Sequence, residues 1–412
     1  MEFIADFHIH SKYSRATSRD MDVAHIADWA KLKGITLMGT GDFTHHLWLE
    51  ELRNNLEDLG NGLFKYKEVY FILTSEISSI YSKKGKTYRI HNMVLSPSLK
   101  TTDKINETLA RYGNLASDGR PILGMDAEEL ARIIFDIDEN CMVIPGHIWT
   151  PWFSLFGSMS GFNRIEDCFE NQTPKIFALE TGLSSDPAMN WRLSALDKYT
   201  LVSNSDSHSP SKIGREANVF DCELNYKTIR EVLKTKDKKR FLYTVEFFPE
   251  EGKYHYDGHR LCSMRLSPDE TRANKGKCPK CGKNVTVGVM NRVEQLADRP
   301  QGYVPSNSIP FKNLIPLDEI IAEAKGIGKA SQGVEKEYRA CLARLGTEFE
   351  ILNRTPKEVL LKNVNPRIAE GIFRVRESKV NIQAGYDGEY GKISIFSDED
   401  KKDTTEKQLS LF

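Results

Sequence analysis

The 412-residue chain lacks long apolar runs, a net charge and plentiful cysteine, and each lack excludes something. No apolar stretch approaches the roughly 18 residues needed to cross a bilayer. The N-terminus enters a strand pattern directly, without a charged-then-apolar leader, so a soluble, cytoplasmic protein with no membrane partner is expected. The net charge of −1 excludes a polyelectrolyte that grips polyanions over its whole surface. Seven cysteines, an odd number, with three gathered in a Cys-x-x-Cys context, fit a reducing compartment and a metal knuckle rather than a disulfide framework. Charge is nonetheless uneven: residues 252–312 hold eleven Lys and Arg against five Asp and Glu, a basic segment suited to a polyanion. The length suffices for two or three domains.

Histidine is what organises the chain. Phe3 and Ile4 lead into Asp6-Phe7-His8-Ile9-His10-Ser11, a short buried strand that presents two imidazoles to one face, because side chains two apart in a strand point the same way. Of ten histidines, all but His25 stand in His/acid groupings at strand ends or in the Cys-containing segment. Residues 22–33 have helical spacing ended by Gly34, and the strand 35–40 delivers Asp42, His45 and His46. The strand 69–75 stops at Glu76, the strand 88–95 carries His91, and 141–146 ends at His147. Residues 175–179 lead to Glu180, and 201–205 to Asp206 and His208. Strands alternating with helices imply parallel β-α units, and in barrels of such units functional groups gather at the carboxyl ends of the strands. Mixed imidazole and carboxylate donors suit Zn, Mn or Fe, and metals a few ångströms apart can clamp a phosphoryl group for in-line displacement. The loop Trp149-Thr150-Pro151-Trp152-Phe153 either stacks on a base or packs over the barrel mouth. Arg192 and Arg215 either hold a phosphate through forked donors or form structural ion pairs.

Over residues 1–245 these motifs resemble the polymerase-and-histidinol-phosphatase (PHP) superfamily. The resemblance implies a distorted β/α barrel with a multinuclear metal centre that hydrolyses phosphoesters. His8 and His10 match its opening His-x-His, Glu76 its bridging carboxylate, His91 and His147 its following histidines, and Asp206-Ser207-His208 its closing Asp-x-His. Phe43 stands where the family has a histidine, with His45 a displaced substitute, and no early histidine of the third site occurs near Arg15. On this reading His8, His10, Glu76 and Asp206 hold one metal, and Glu76, His91 and His147 a second. His208, with His45 and Asp42, holds a third metal or acts as an acid. Asp206, Glu76 and His208 are the catalytic candidates.

A composition break at 247–253 opens a second unit, expected over 246–304. Cys278-Pro279-Lys280-Cys281-Gly282 aims two thiolates inward, and His259 with Cys262 supplies a second pair at the same spacing, the pattern of a closed, structural tetrahedral zinc. His255 competes with His259 for the fourth place. A third unit over 305–396 is helical by periodicity, with Lys325-Gly326-Ile327-Gly328-Lys329 at a turn that either approaches a phosphate, as in a helix-hairpin-helix, or merely joins two helices. Residues 397–407 are polar and charged, a tether expected to be disordered. They precede Gln408-Leu409-Ser410-Leu411-Phe412, similar at all five positions to the bacterial sliding-clamp peptide and loosely to the archaeal one, with Gln408, Leu409, Leu411 and Phe412 as anchors.

Over essentially the whole length the chain resembles the endonuclease Q family of DNA-repair nucleases. That implies an α/β protein: a PHP-type barrel, a small zinc-binding domain and a mainly helical C-terminal domain. It implies cleavage 5′ of deoxyuridine, deoxyinosine, deoxyxanthosine or an abasic site. It implies Zn2+ in the knuckle and the barrel, Mg2+ or Mn2+ for catalysis, and damaged DNA and a sliding clamp as partners of a monomer at the nucleoid. A small-molecule phosphatase and a non-catalytic clamp-tethered module are the alternatives.

Overall fold

The computed structural model describes residues 1–397 and Asp400; the clamp-like peptide 408–412 lies outside them. Nine strands build the barrel: β1 Glu2–Asp6, β2 Leu37–Gly39, β3 Val69–Lys83, β4 Lys86–Ser96, β5 Met142–Pro145, β6 Ala178–Glu180, β7 Thr200–Val202, β8 Ala217–Asp221 and β9 Phe241–Glu246. β1, β2 and β3 run parallel side by side, β4 pairs antiparallel with β3 and with β5, β5 lies beside β6, and β6 and β7 are parallel. The ring closes on β1. Glu2 to Ala5 of β1 pair antiparallel with β8, while the segment beyond β1 bonds to the chain after β7 through the Ile9–Ser207 bridge. This double use of one edge is the barrel's distortion. Every strand from β1 to β9 contributes to one apolar cluster, Phe3, Leu37, Ile72, Met93, Ile144 and Val202 among them, floored by Ile229, Val232 and Leu233 of the helix Tyr226–Thr235. The other apolar cluster packs helices such as Val23–Lys33 around the outside.

Two expectations change here. The strand expected to stop at Glu76 runs on to Lys83, and the strand carrying His91 is not a parallel unit but the return arm of a hairpin paired from Leu73↔Ser96 to Lys83↔Lys86. Lys84 and Gly85 both have positive φ, 51° and 78°, the two-residue turn that matches strand twist. His91 thus reaches the barrel mouth from a reversed strand.

Beyond the barrel a small lobe carries the knuckle on the hairpin Asp257–His259 and Met264–Leu266. It is fastened by Arg292, which donates to the carbonyls of Phe156 and Phe162, each at 2.9 Å. The chain then returns to the barrel: β10, Phe311–Asn313, pairs with β9. The helices Leu317–Lys325, Gln332–Leu345, Glu348–Asn353, Lys357–Asn363 and Pro366–Arg376 follow, and the hairpin Asn381–Gln383 with Lys392–Ser394 comes last. A buried ion pair locks this helical unit to the barrel. Lys33 Nζ lies 2.8 Å from Glu348 Oε2, which also accepts from the Tyr338 hydroxyl at 2.7 Å, while Oε1 accepts from the Leu317 N–H at 2.9 Å. No helix among the described residues is long and apolar enough to cross a membrane.

Candidate metal centre and the cavity beside it

The strand ends bring two donor groups together around one carboxylate. His8, His10, Glu76 and Asp206 form the first, and Glu76, His91 and His147 the second, with donor atoms in each within 4.8 Å of one another. Glu76 Oε2 faces His10 Nε2 at 3.3 Å and His8 Nε2 at 3.6 Å; Oε1 faces His91 Nδ1 at 2.6 Å and His147 Nε2 at 3.1 Å. Asp206 Oδ1 stands 3.1 Å from His10 Nε2 and 3.8 Å from His8 Nε2. Two ligands of one tetrahedral ion, each about 2.1 Å from it, sit about 3.4 Å apart, the spacing of this set. His8 Nε2 is buried with no hydrogen-bond partner among the described residues and is aimed at the shared point. The donors fit a divalent cation in each group.

The far side of three of the four imidazoles is anchored, as is usual for metal-ligating histidines. His8 Nδ1 meets Glu180 Oε1 at 2.9 Å, His10 Nδ1 meets Asp42 Oδ1 at 3.0 Å, and His147 Nδ1 meets Thr150 Oγ1 at 3.0 Å. Glu180 also accepts from the His147 N–H and the Asn204 amide. Backbone strain is concentrated here: Asp42, His147 and Asp206 have φ of 50°, 28° and 46°, a region non-glycine residues enter at a cost. Gly182 permits a close approach, since a Cβ there would lie 2.5 Å from the His147 Cβ.

Burial of so many carboxylates demands positive charge. For His8, burial opposes the proton, but Glu180 and Glu76 outweigh it and hold the pKa well above the ordinary value. For His10, burial is likewise overcome, by Asp42, Asp206 and Glu76, and His147 is raised against burial by Glu76. His91 goes the other way, pushed by burial down to about 4. Burial disfavours charge on Glu76 and Asp206, yet the surrounding imidazoles, and for Glu76 also Arg120, hold both carboxyls below the usual range. In the metal-free protein, protons on imidazoles take the place a cation would fill.

A cavity of about 460 Å3 opens beside the centre, bordered by His91, His147, Asp206, Arg120, Trp152 and Phe153, a volume typical of ligand pockets. The expected aromatic loop divides there. Trp152 and Phe153 face the cavity, whereas Trp149 is buried in the core with its indole N–H on Asn190 Oδ1 at 2.8 Å, so its expected role against a base is corrected to packing. Arg192 is also removed: it is buried and paired with Glu294 at 2.5 Å, at the junction with the cysteine-rich lobe. Arg215 donates to the Ser205 carbonyl at 2.9 Å, behind the Asp206 loop. Lys325 and Lys329 pair with Glu337 and Glu319, so both lysines expected to meet a phosphate at the glycine turn are already ion-paired.

Asp42 and His45 lie outside both donor groups. Asp42 accepts from His10 at Oδ1 and from the Ser11 N–H, the Ser11 hydroxyl and the Ser14 hydroxyl at Oδ2, so it orients a ligand and stands behind the donor group. His45 stacks on Tyr13 at 4.5 Å between ring centroids. His208 is outside the groups too, its ring 4.5 Å from that of His10 and its Nδ1 2.9 Å from the Asp206 carbonyl. Arg120, unflagged by the sequence, donates to Glu76 Oε2 at 3.1 Å. In the lobe, His259, Cys262, Cys278 and Cys281 form one donor group, with Cys281 Sγ 3.6 Å from His259 Nδ1, about the separation of a sulfur and a nitrogen on one zinc. His255 is buried apart from it.

Known proteins match nearly the whole chain. Residues 316–379 match the family model of the MJ0043 C-terminal domain. Protein MJ0043 of Methanocaldococcus jannaschii is 31% identical over 315 residues, 72% of this chain, which spans 39% of that longer protein. The crystal structure of the lesion-specific endonuclease PfuEndoQ from Pyrococcus furiosus superposes with a TM-score of 0.86 at 32% identity, over 98% of this chain and 99% of that one. An endonuclease Q bound to a 27-mer duplex with an abasic lesion at its active site superposes at 0.85 and 32% identity, over 97% and 98%. With barrel, lobe and helical unit all matched from end to end, the chain belongs to the endonuclease Q family.

Proposed function

We propose that the protein is a metal-dependent DNA repair endonuclease that hydrolyses the phosphodiester 5′ of a deaminated base (deoxyuridine, deoxyinosine or deoxyxanthosine) or of an abasic site. The observation that carries this reading is the end-to-end match to endonuclease Q structures, one of them holding an abasic duplex. His8, His10, Glu76 and Asp206 would hold one cation, and Glu76, His91 and His147 a second. The imidazole-rich set suits Zn2+ or Mn2+ ahead of Mg2+, which prefers oxygen ligands. Bound there, the cations supply Lewis-acid activation of water and neutralise charge on the phosphate.

The remaining work falls to side chains. Trp152 and Phe153 offer aromatic faces to a nucleotide turned out of the duplex, at an unstacking cost lowest for damaged bases. Asp42, Glu180 and Thr150 keep the imidazoles in the orientation the cations need. His208, with Nδ1 taken by the Asp206 carbonyl, moves a proton at Nε2. The cysteine-rich group would hold a structural zinc that shapes the basic lobe. The peptide 408–412 would tether the enzyme, as a monomer, to a bacterial-type sliding clamp.

The test is cleavage of end-labelled duplexes with and without one deoxyuridine, deoxyinosine or abasic site, in Mn2+ or Mg2+, mapped to the nucleotide. One cut 5′ of the lesion, lost in Asp206→Ala, is expected. Turnover of small phosphate monoesters with no cut on any duplex would overturn the reading in favour of a phosphatase.

A further inference from the structure

We infer that Arg120 is the side chain that takes the non-bridging oxygen of the scissile phosphate; this rests on the phosphodiester reading above. Three observations converge on it. Arg120 borders the same cavity as His91, His147 and Asp206, with its side chain 26% exposed. Among the described residues its guanidinium makes one hydrogen bond, from Nη1 to Glu76 Oε2 at 3.1 Å, so the rest of a five-donor fork is available beside the donor groups. Its backbone is fixed from both sides. The Arg120 N–H donates to Asp118 Oδ1 at 3.2 Å, the Gly119 N–H to the Tyr13 carbonyl at 3.1 Å, and the Ser78 N–H to the Pro121 carbonyl at 3.0 Å.

Gly119 makes this placement possible, because a Cβ there would fall 2.2 Å from Asp42 Oδ2. Asp118 is a positioning residue. It also holds Arg15, through the Arg15 N–H at 3.3 Å and the guanidinium Nε at 3.4 Å, so both arginines on the cavity rim hang from one carboxylate.

A guanidinium that rests on the shared carboxylate and points onward into the cavity is placed for charge, not for proton transfer, since an arginine does not deprotonate. Phosphoryl transfer is catalysed largely by positioning and by stabilising charge on the equatorial oxygens. Arg120 forms and breaks no covalent bond. It meets the charge that builds on phosphorus oxygen as water adds and the ester oxygen leaves. Its positive charge also lies next to the cation ligands, so it opposes cation binding while favouring phosphate. A merely structural partner of Glu76 has no such opposed effects.

The experiment compares wild type, Arg120→Lys and Arg120→Ala as full-length protein loaded with Mn2+. Three readouts are taken: metal content by mass spectrometry, affinity for inorganic phosphate by calorimetry, and cleavage of an abasic duplex with and without added guanidinium. In Arg120→Ala we expect metal content at or above wild type, phosphate affinity lower by about 10- to 100-fold, the range of a charge-assisted hydrogen bond, and cleavage partly restored by guanidinium. Arg120→Lys should fall between the two. Loss of metal together with phosphate affinity in both variants, or unchanged phosphate affinity in Arg120→Ala, overturns the assignment. If wild type cuts no duplex but the phosphate difference holds, the DNA reading falls and the role of Arg120 stands.

Discussion

Cation binding at the two donor groups should release different numbers of protons. In the first group, both imidazoles hold protons well above their ordinary range, because Glu180 and Glu76 surround His8 and Asp42, Asp206 and Glu76 surround His10. A cation must displace two protons there at neutral pH. Each displaced proton makes apparent affinity rise tenfold per pH unit, so the first group should tighten about 100-fold per unit. In the second group only His147 is raised, while burial holds His91 near 4, which leaves one proton and about a tenfold rise per unit. The sign follows from the raised pKa values: the steep dependence holds below them and fades as pH rises through them. Calorimetric titration of Mn2+ into metal-free protein between about pH 6 and 7, in buffers of different ionisation enthalpy, counts the protons directly. Asp42→Asn removes the carboxylate that supports His10 and should reduce the steep step to about one proton. Equal proton counts in the two steps, or an Asp42→Asn profile identical to wild type, would refute the argument.

Other outcomes are expected from the same structure. Lys33→Met leaves Glu348 buried without its cation and should cost about 3–5 kcal/mol in denaturant unfolding. Burial opposes the charge on Glu348 but Lys33 depresses its pKa, so the stabilisation is present above the unfolded value and lost as pH falls through the folded one, and the gap between variant and wild type should close in acid. Trp152→Ala should weaken lesion-DNA binding by about 1–3 kcal/mol with a smaller change in kcat, read from KM and kcat separately. Gly182→Ala forces a Cβ against His147 at positive φ. It should empty the second group before the first, visible as about half the metal content in a folded protein.

The strand-end histidines and acids were legible because each follows an apolar run that can only be a buried strand, and the two donor groups join the residues the motif pattern pairs. Ligand and ligand-support were not separable. Asp42 and Glu180 look in sequence like Asp206 and Glu76, and only their place in the structure, behind the imidazoles rather than facing the shared point, shows that they support ligands. Trp149 and Trp152 are three residues apart in one loop, and nothing in composition tells that one turns into the core and the other to the cavity. Arg120 was invisible for another reason: it lies in the irregular stretch Asp118-Gly119-Arg120-Pro121, where no periodicity exists to read, and its partner Glu76 is distant in sequence. A signal was present for the hairpin, since Lys84-Gly85 sits between two strand-forming runs at turn spacing.

The left-handed backbone at Asp42, His147 and Asp206 bears on how such a protein would decay. Glycine at any of the three would relieve about 1 kcal/mol or more of backbone strain, but at Asp42 it would also leave the buried donors of His10, Ser11 and Ser14 unpaired, a larger cost, so the strain there is held in place by the hydrogen bonds around it. In a lineage where the barrel is retained only as a scaffold, His147 and Asp206 should therefore drift before Asp42, and the result would be a protein of the same shape with an empty mouth.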